Sequence, residues 1–262
     1  MSDDFSNLRI IPSVPSETIG TFFKLMIGVV VAYVIVRVLE AHTYFFPDAE
    51  AFTGLIHISG TLYSVLYAFA TYVIWGQFIA VESEILKEAG ALKDIILFSR
   101  QLKDSERDPI VRGIKIYARA VVEREWPQLS AAEPPEETER LFLNIITSVT
   151  EAKDAEENSR AIYTQLLEIM KDASMHRNER IALSTKRIPR TLLTFVMLMA
   201  TMIFLLILFY PYHNMGLGLA SIAATTFLLF VAHFVLTDLD NPFEGSWNVN
   251  SGPFSELVTK FK

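Results

Sequence analysis

Four apolar runs, set as two pairs around a charged centre, dominate the hydrophobic pattern of this chain. Residues 19–39 are interrupted only by Lys24 and Arg37, 54–81 and 191–210 carry no formal charge, and 215–237 has His233 as its only ionisable group. A hydrocarbon core of about 30 Å is crossed by roughly 20 helical residues at a rise of about 1.5 Å each. Each run therefore predicts a membrane-spanning helix. Past the second run the helical spacing continues through Ile85, Leu86, Ala89, Leu92, Ile95, Ile96 and Phe98, with Gly90 the only breaker before Lys103, which predicts one helix running out of the bilayer.

The charged centre reads as helices too. Asp108 and Pro109 suit an N-cap and first-turn proline for a helix ending at Trp126 and Pro127, and residues 130–137 form a Pro- and Glu-rich linker. From Thr138 to Ser184 no Gly or Pro interrupts apolar positions spaced three and four apart: Leu141, Ile145, Val149, Ala152, Ile162, Leu166, Ile169 and Ala173. That predicts one long helix with coiled-coil-like packing, in a bundle or against neighbouring subunits. The expected fold is all-α: a tail over 1–18, transmembrane helices 1 and 2 in 19–81, a cytoplasmic helical domain over 82–190, helices 3 and 4 in 191–237, and a cytoplasmic tail over 238–262. The aromatics Phe243, Trp247 and Phe254 should pack that tail back onto the helical domain.

Composition sharpens this. Hydrophobic residues make up 51% of the chain, near the globular norm, but residues 81–190 hold 18 of the 23 Lys and Arg and 20 of the 30 Asp and Glu. So sharp a partition fits membrane spans and not the amphipathic helices of a soluble core. With no cysteine, disulfides, thiolate metal sites and cysteine nucleophiles are excluded. A net charge of −7 argues against nucleic acid as a partner. The first run is too long, and its lead-in too acidic, for a cleavable signal, so it is expected to stay as a signal anchor. The loops 40–53 and 211–214 carry no Lys or Arg, whereas Arg9, Lys24, Lys186, Arg187, Arg190, Lys260 and Lys262 flank the other ends. Both termini are then expected on the cytoplasmic side of a bacterial inner membrane.

No zinc-protease helix, phosphate-cradling glycine loop, serine elbow or histidine pair at ligand spacing occurs, so neither catalysis nor a resident cofactor is expected. The second span carries two contrasting faces. His57, Thr61, Ser64, Ala68, Thr71 and Trp75 share one; Leu62, Leu66, Phe69 and Val73 share another. A polar stripe in hydrocarbon faces protein or water, so it is either a packing seam or a pore lining, and the apolar stripe equally suits a constriction that gates by dewetting. Both faces stay candidates for the pore. Asp238, Asp240, Asn241 and Glu244 offer the oxygen donors that Ca²⁺ prefers, although nearby carboxylates also cap turns or pair with Arg. Glu151, Asp154, Glu156 and Glu157 read as a solvated helix face, or as charged rings if an oligomer encloses a vestibule.

Three stretches resemble the bestrophin-like family of membrane proteins: Glu-Ser-Glu-Ile-Leu-Lys-Glu-Ala-Gly-Ala-Leu at 82–92, the segment 117–127 ending Glu-Arg-Glu-Trp-Pro, and Asp-Leu-Asp-Asn-Pro-Phe-Glu-Gly-Ser-Trp at 238–247. The resemblance covers nearly the whole chain. It implies distant similarity to the bestrophins, pentameric ion channels with four transmembrane helices per subunit and a second helix lining a hydrophobic neck. By position the neck would fall on Leu62, Leu66, Phe69 and Val73, and a Ca²⁺ clasp on 238–244. The expected partners are membrane lipid, inorganic ions and further copies of the chain in a homo-oligomer. In place of an extended acidic run this chain has separated Asp238 and Asp240, and it lacks the Trp-Trp-Glu segment of bestrophins, which counts against calcium activation. Selectivity is open, since the acidic cytoplasmic face favours cations and the bestrophin analogy favours anions. The alternative function is a non-conducting membrane scaffold or sensor that recruits partners through its cytoplasmic helices.

Overall fold

The computed structural model describes residues 16–42, 48–131, 136–152, 157–245 and 247–260. Among them all regular structure is helical: α1 (Ser16–His42), α2 (Ala49–Ser99), α3 (Asp104–Ala120), a π-helical turn (Val121–Glu125), α4 (Trp126–Ser130), α5 (Glu136–Glu151), α6 (Glu157–Ser184), α7 (Arg190–Leu208), α8 (Met215–Leu239) and α9 (Gly252–Thr259). The helices α1, α2, α7 and α8 are long and apolar enough to cross a membrane. Two compact units result. One combines α1, α2 up to Ile74, α7 and α8; the other combines α2 from Trp75 with α3 to α6, Asn241 and the residues after it. As the apolar and charged periodicity requires, α2 is one helix of 51 residues.

In the membrane unit each helix satisfies its own backbone, the condition for crossing lipid, and α8 packs on both α1 and α7. Val29, Tyr33, Leu208 and Ile222 form a small core. Gly218 makes it possible, because a Cβ there would lie 2.8 Å from Cζ of the buried Tyr33 ring. Arg37 donates to the carbonyls of Leu208 (3.0 Å) and Tyr210 (2.6 Å), at the C-terminal end of α7 where the helix dipole favours a cation. Asn214 caps α8, its Oδ1 accepting from the N–H groups of Gly216 (2.8 Å) and Leu217 (3.1 Å).

The second, polar unit buries Ile85, Leu92 and Ile95 of α2 against Ile110, Ile114 and Tyr117 of α3, Ile145 and Val149 of α5, Leu166 and Ala173 of α6, and Phe254 of α9. It corrects two expectations. The proline helix begins at Asp104, not at Asp108, and Pro109 lies inside it. A missing N–H near the start removes one backbone bond, and burial of Ile110 and Ile114 in the next turns holds the helix together. Asp108 pairs with Arg107 at 2.9 Å instead of capping, and the helical path runs beyond Trp126 to Ser130.

The single helix expected over Thr138–Ser184 is instead an antiparallel pair. The Tyr163 hydroxyl donates to the Thr150 carbonyl (3.3 Å) near one end, and Arg177 pairs with Glu139 near the other. Folding back lets the apolar positions of both halves enter one core, as the complete burial of Ile145, Val149, Leu166 and Ala173 shows. A continuous rod would leave one half without a partner. Glu151 is exposed at the end of α5; Asp154, Glu156 and the side chain of Glu157 fall outside the described residues.

Candidate functional site

Two faces of α2 compete for the role of functional surface, and the fold distinguishes their members. Leu62 (45% exposed) and Phe69 (56%) project away from the other helices, as do Ile58 (69%), Val65 (63%) and Tyr72 (77%). Leu66 and Val73 are half-buried, and Ser59, Ala70 and Ile74 on the adjoining flank are buried. The steps 55, 58, 62, 65, 69, 72 alternate three and four, so the exposed apolar stripe was legible as a heptad-like seam. Leu55, Ile58, Val65 and Tyr72 fall outside the expected stripe, because the steps of four, three and four through 62, 66, 69 and 73 follow a neighbouring line on the same helix.

The polar face is exposed at His57, Thr61 and Ser64 and half-buried at Thr71. The three hydroxyls donate to carbonyls one turn back: Thr61 to His57 (2.8 Å), Ser64 to Gly60 (2.7 Å) and Thr71 to Tyr67 (2.9 Å). These bonds satisfy their protons inside the helix, so the hydroxyls do not demand water. His57 differs. No hydrogen bond or ion pair engages its ring among the described residues, and an exposed imidazole within a membrane span calls for a wet or protein-lined surface.

Of the acidic tail, Asp238 and Asp240 belong to the membrane unit and Asn241 and Glu244 to the polar unit. On the membrane side, Asp240 accepts from the Ile188 N–H at 2.7 Å, and Asp238 is half-buried near the end of α8. On the polar side, Asn241 accepts from Arg187 Nη2 (3.1 Å) and donates to the Ser130 carbonyl (3.0 Å) and to Glu244 Oε2 (3.1 Å). The Val249 N–H donates to the Pro242 carbonyl (2.8 Å) and closes the turn, inside which Gly245 sits at φ 86°, the left-handed region open to glycine. Phe243 then stacks edge-on against Trp126 at 5.2 Å, Trp247 against Trp75 at 6.0 Å and Phe254 against Trp126 at 6.0 Å, the return of the tail expected from its aromatics. No group of three or more His, Asp or Glu among the described residues is placed to hold a metal ion.

A buried charge network holds the polar unit, and the sequence reading overlooked it. Arg180 of α6 is wholly buried, with Nε 2.7 Å from Glu88 of α2 and Nη1 2.6 Å from Glu125 of the π-helical turn. The Tyr117 hydroxyl donates to Glu88 at 2.5 Å, the Thr138 hydroxyl donates to Glu125, and Arg177 lies 3.8 Å from Glu125. Burial, then the nearby Glu88 and Glu125 carboxylates, push the Tyr117 phenol well above its ordinary range, so it remains a donor. Burial opposes the Arg180 charge, yet Glu88 and Glu125 outweigh it and raise the guanidinium well above its usual value. The available signal was positional: Glu88 sits on the face of Ile85, Leu92 and Ile95, where the spacing calls for an apolar residue.

A Bestrophin-like domain model matches residues 22–254. The chain belongs to the bestrophin-like family. Its fold is shared with a bacterial bestrophin homologue from Klebsiella pneumoniae at a TM-score of 0.70 and 11% identity, over 92% of this chain and 97% of that one. Two single-substitution variants of the Klebsiella protein both match at a TM-score of 0.72 over 94% of this chain, with identities of 11% and 10% and coverage of 96% and 97% of theirs. No curated protein matches the chain. At such identities these bestrophin homologues establish the fold, with α2 as the second of four membrane helices.

Proposed function

We propose that this protein is a homopentameric ion channel whose α2 helices line the pore, with the narrowest part at Leu62 and Phe69 and continuing along the stripe of Leu66 and Val73. The observation that carries the reading is the outward face of α2: large apolar side chains at heptad-like spacing beside an exposed His57, all left uncovered by the protomer's own helices. A symmetric ring of α2 helices covers the apolar residues against one another and gives His57 water. Family membership supports the same assembly. The distribution of Lys and Arg supports an inner-membrane location with both termini cytoplasmic.

Purified oligomer reconstituted into planar bilayers should show unitary currents. Leu62→Ala and Phe69→Ala, in every subunit, should raise conductance or open probability by lowering the dewetting barrier, with smaller effects from Leu66→Ala and Val73→Ala. Silent bilayers in KCl, NaCl and CaCl₂ with correctly assembled protein would end the channel reading. If Thr61→Leu and Ser64→Leu alter selectivity while the apolar substitutions do nothing, the polar face is the pore.

A further inference from the structure

A cavity of about 220 Å³ lies among the four helices of the membrane unit, walled by apolar side chains that include Leu25, Val196 and Phe204. Tyr67, Thr201 and Thr226 also line it, and all three hydroxyls are satisfied, donating to the carbonyls of Ala232 (3.1 Å), Met197 (2.8 Å) and Ile222 (2.8 Å). His233 is different: its Nδ1 is buried and has no hydrogen-bond partner among the described residues. A buried polar atom without a partner is costly. An apolar cavity of about 150 Å³ takes up benzene and excludes water, so by proportion this one has room for roughly nine carbon atoms. A single water would meet the need of His233 and leave most of the volume bare.

We propose that the cavity binds a single-chain amphiphile drawn from the bilayer, its uncharged hydroxyl head on Nδ1 of His233 and its chain along Val196 and Phe204. A hydroxyl both donates and accepts, so it serves either imidazole tautomer. No Lys, Arg, Asp or Glu lines the cavity, which disfavours an ionised head. The cavity opens past Leu25 (43% exposed) and Met197 (39% exposed), so the end of a chain longer than about nine carbons projects into the bilayer, and the site is independent of what the α2 ring conducts.

The test uses the assembled protein in liposomes with a decanol analogue bearing a photoreactive diazirine, and mass spectrometry to map the labelled positions. Label should concentrate on Val196, Ala200, Phe204, Leu229, Phe230 and Leu236, and unlabelled decanol should displace it at about one-fifth the concentration that decane needs, the factor one hydrogen bond supplies. Ala200→Phe, which fills the cavity, should abolish specific labelling. His233→Leu should weaken it about fivefold, with recovery in His233→Gln. Label spread over the outward Phe195, Leu198 and Phe227, or equal competition by decane and decanol in the unaltered protein, would overturn the assignment.

Discussion

Replacing Arg180 with Met measures how far the buried charge network holds the polar unit together. Methionine retains apolar contact with Trp126 and Phe254, whose ring centroids lie 5.8 and 5.4 Å from the guanidinium carbon. It leaves Glu88 and Glu125, both fully buried, with one cation in reach, Arg177 at 3.8 Å from Glu125. Stranding one side of a buried pair costs about 3–5 kcal/mol. The expected loss at pH 7 is of that size. All three tryptophans, Trp75, Trp126 and Trp247, belong to the polar unit. Urea unfolding of the detergent-solubilised protein at fixed concentration, followed by tryptophan fluorescence, thus reports this unit. Glu88→Gln added to Arg180→Met should restore part of the loss, because Tyr117 can still donate to the amide oxygen. A deficit below about 1 kcal/mol at pH 7 would refute the reasoning.

Gly218→Ala should destabilise the membrane unit by about 1–3 kcal/mol, since the added methyl meets the Tyr33 ring; Tyr33→Phe in that background should recover part, and an unchanged thermal midpoint would sink the packing account. For Glu84, burial opposes the charge, but hydrogen bonds from Lys87 (2.7 Å) and His176 (2.7 Å) prevail and hold its carboxyl below the ordinary range. Its contribution is present above about pH 4.5 and is lost as pH falls below that, where the unfolded chain takes up the proton first. Glu84→Gln should flatten the acid limb of the stability profile, and an identical limb would contradict the pairing. Phe254→Ala, at a wholly buried ring 6.5 Å from Tyr117 and 6.0 Å from Trp126, should cost about 3–5 kcal/mol in the same fluorescence assay; a loss under about 1 kcal/mol would mean that the tail does not complete the core.

Features set by one-dimensional pattern were legible in the chain itself. Four apolar runs of membrane length, the uninterrupted spacing through 85–98 and the aromatic tail each depend on local periodicity and hydropathy, and each appears as expected in α1, α2, α7, α8 and the packing of Phe243 and Phe254. What required the tertiary structure was every decision between equivalent local patterns. The periodicity over Thr138–Ser184 fits one rod or two antiparallel helices equally well, because both present the same apolar stripe. Only the contacts of Thr150 with Tyr163 and of Glu139 with Arg177 select the pair. The start of α3 was displaced because burial of Ile110 and Ile114 outweighs a proline's missing bond. On α2 the sequence offered polar and apolar faces at adjacent angles, and the difference between the exposed Leu62 and Phe69 and the half-buried Leu66 and Val73 arises from the neighbouring helices. The network of Glu88, Glu125 and Arg180 joins residues as much as 92 positions apart. In sequence each is one charge among many, and only the fold, by removing water from all three together, makes their pairing obligatory.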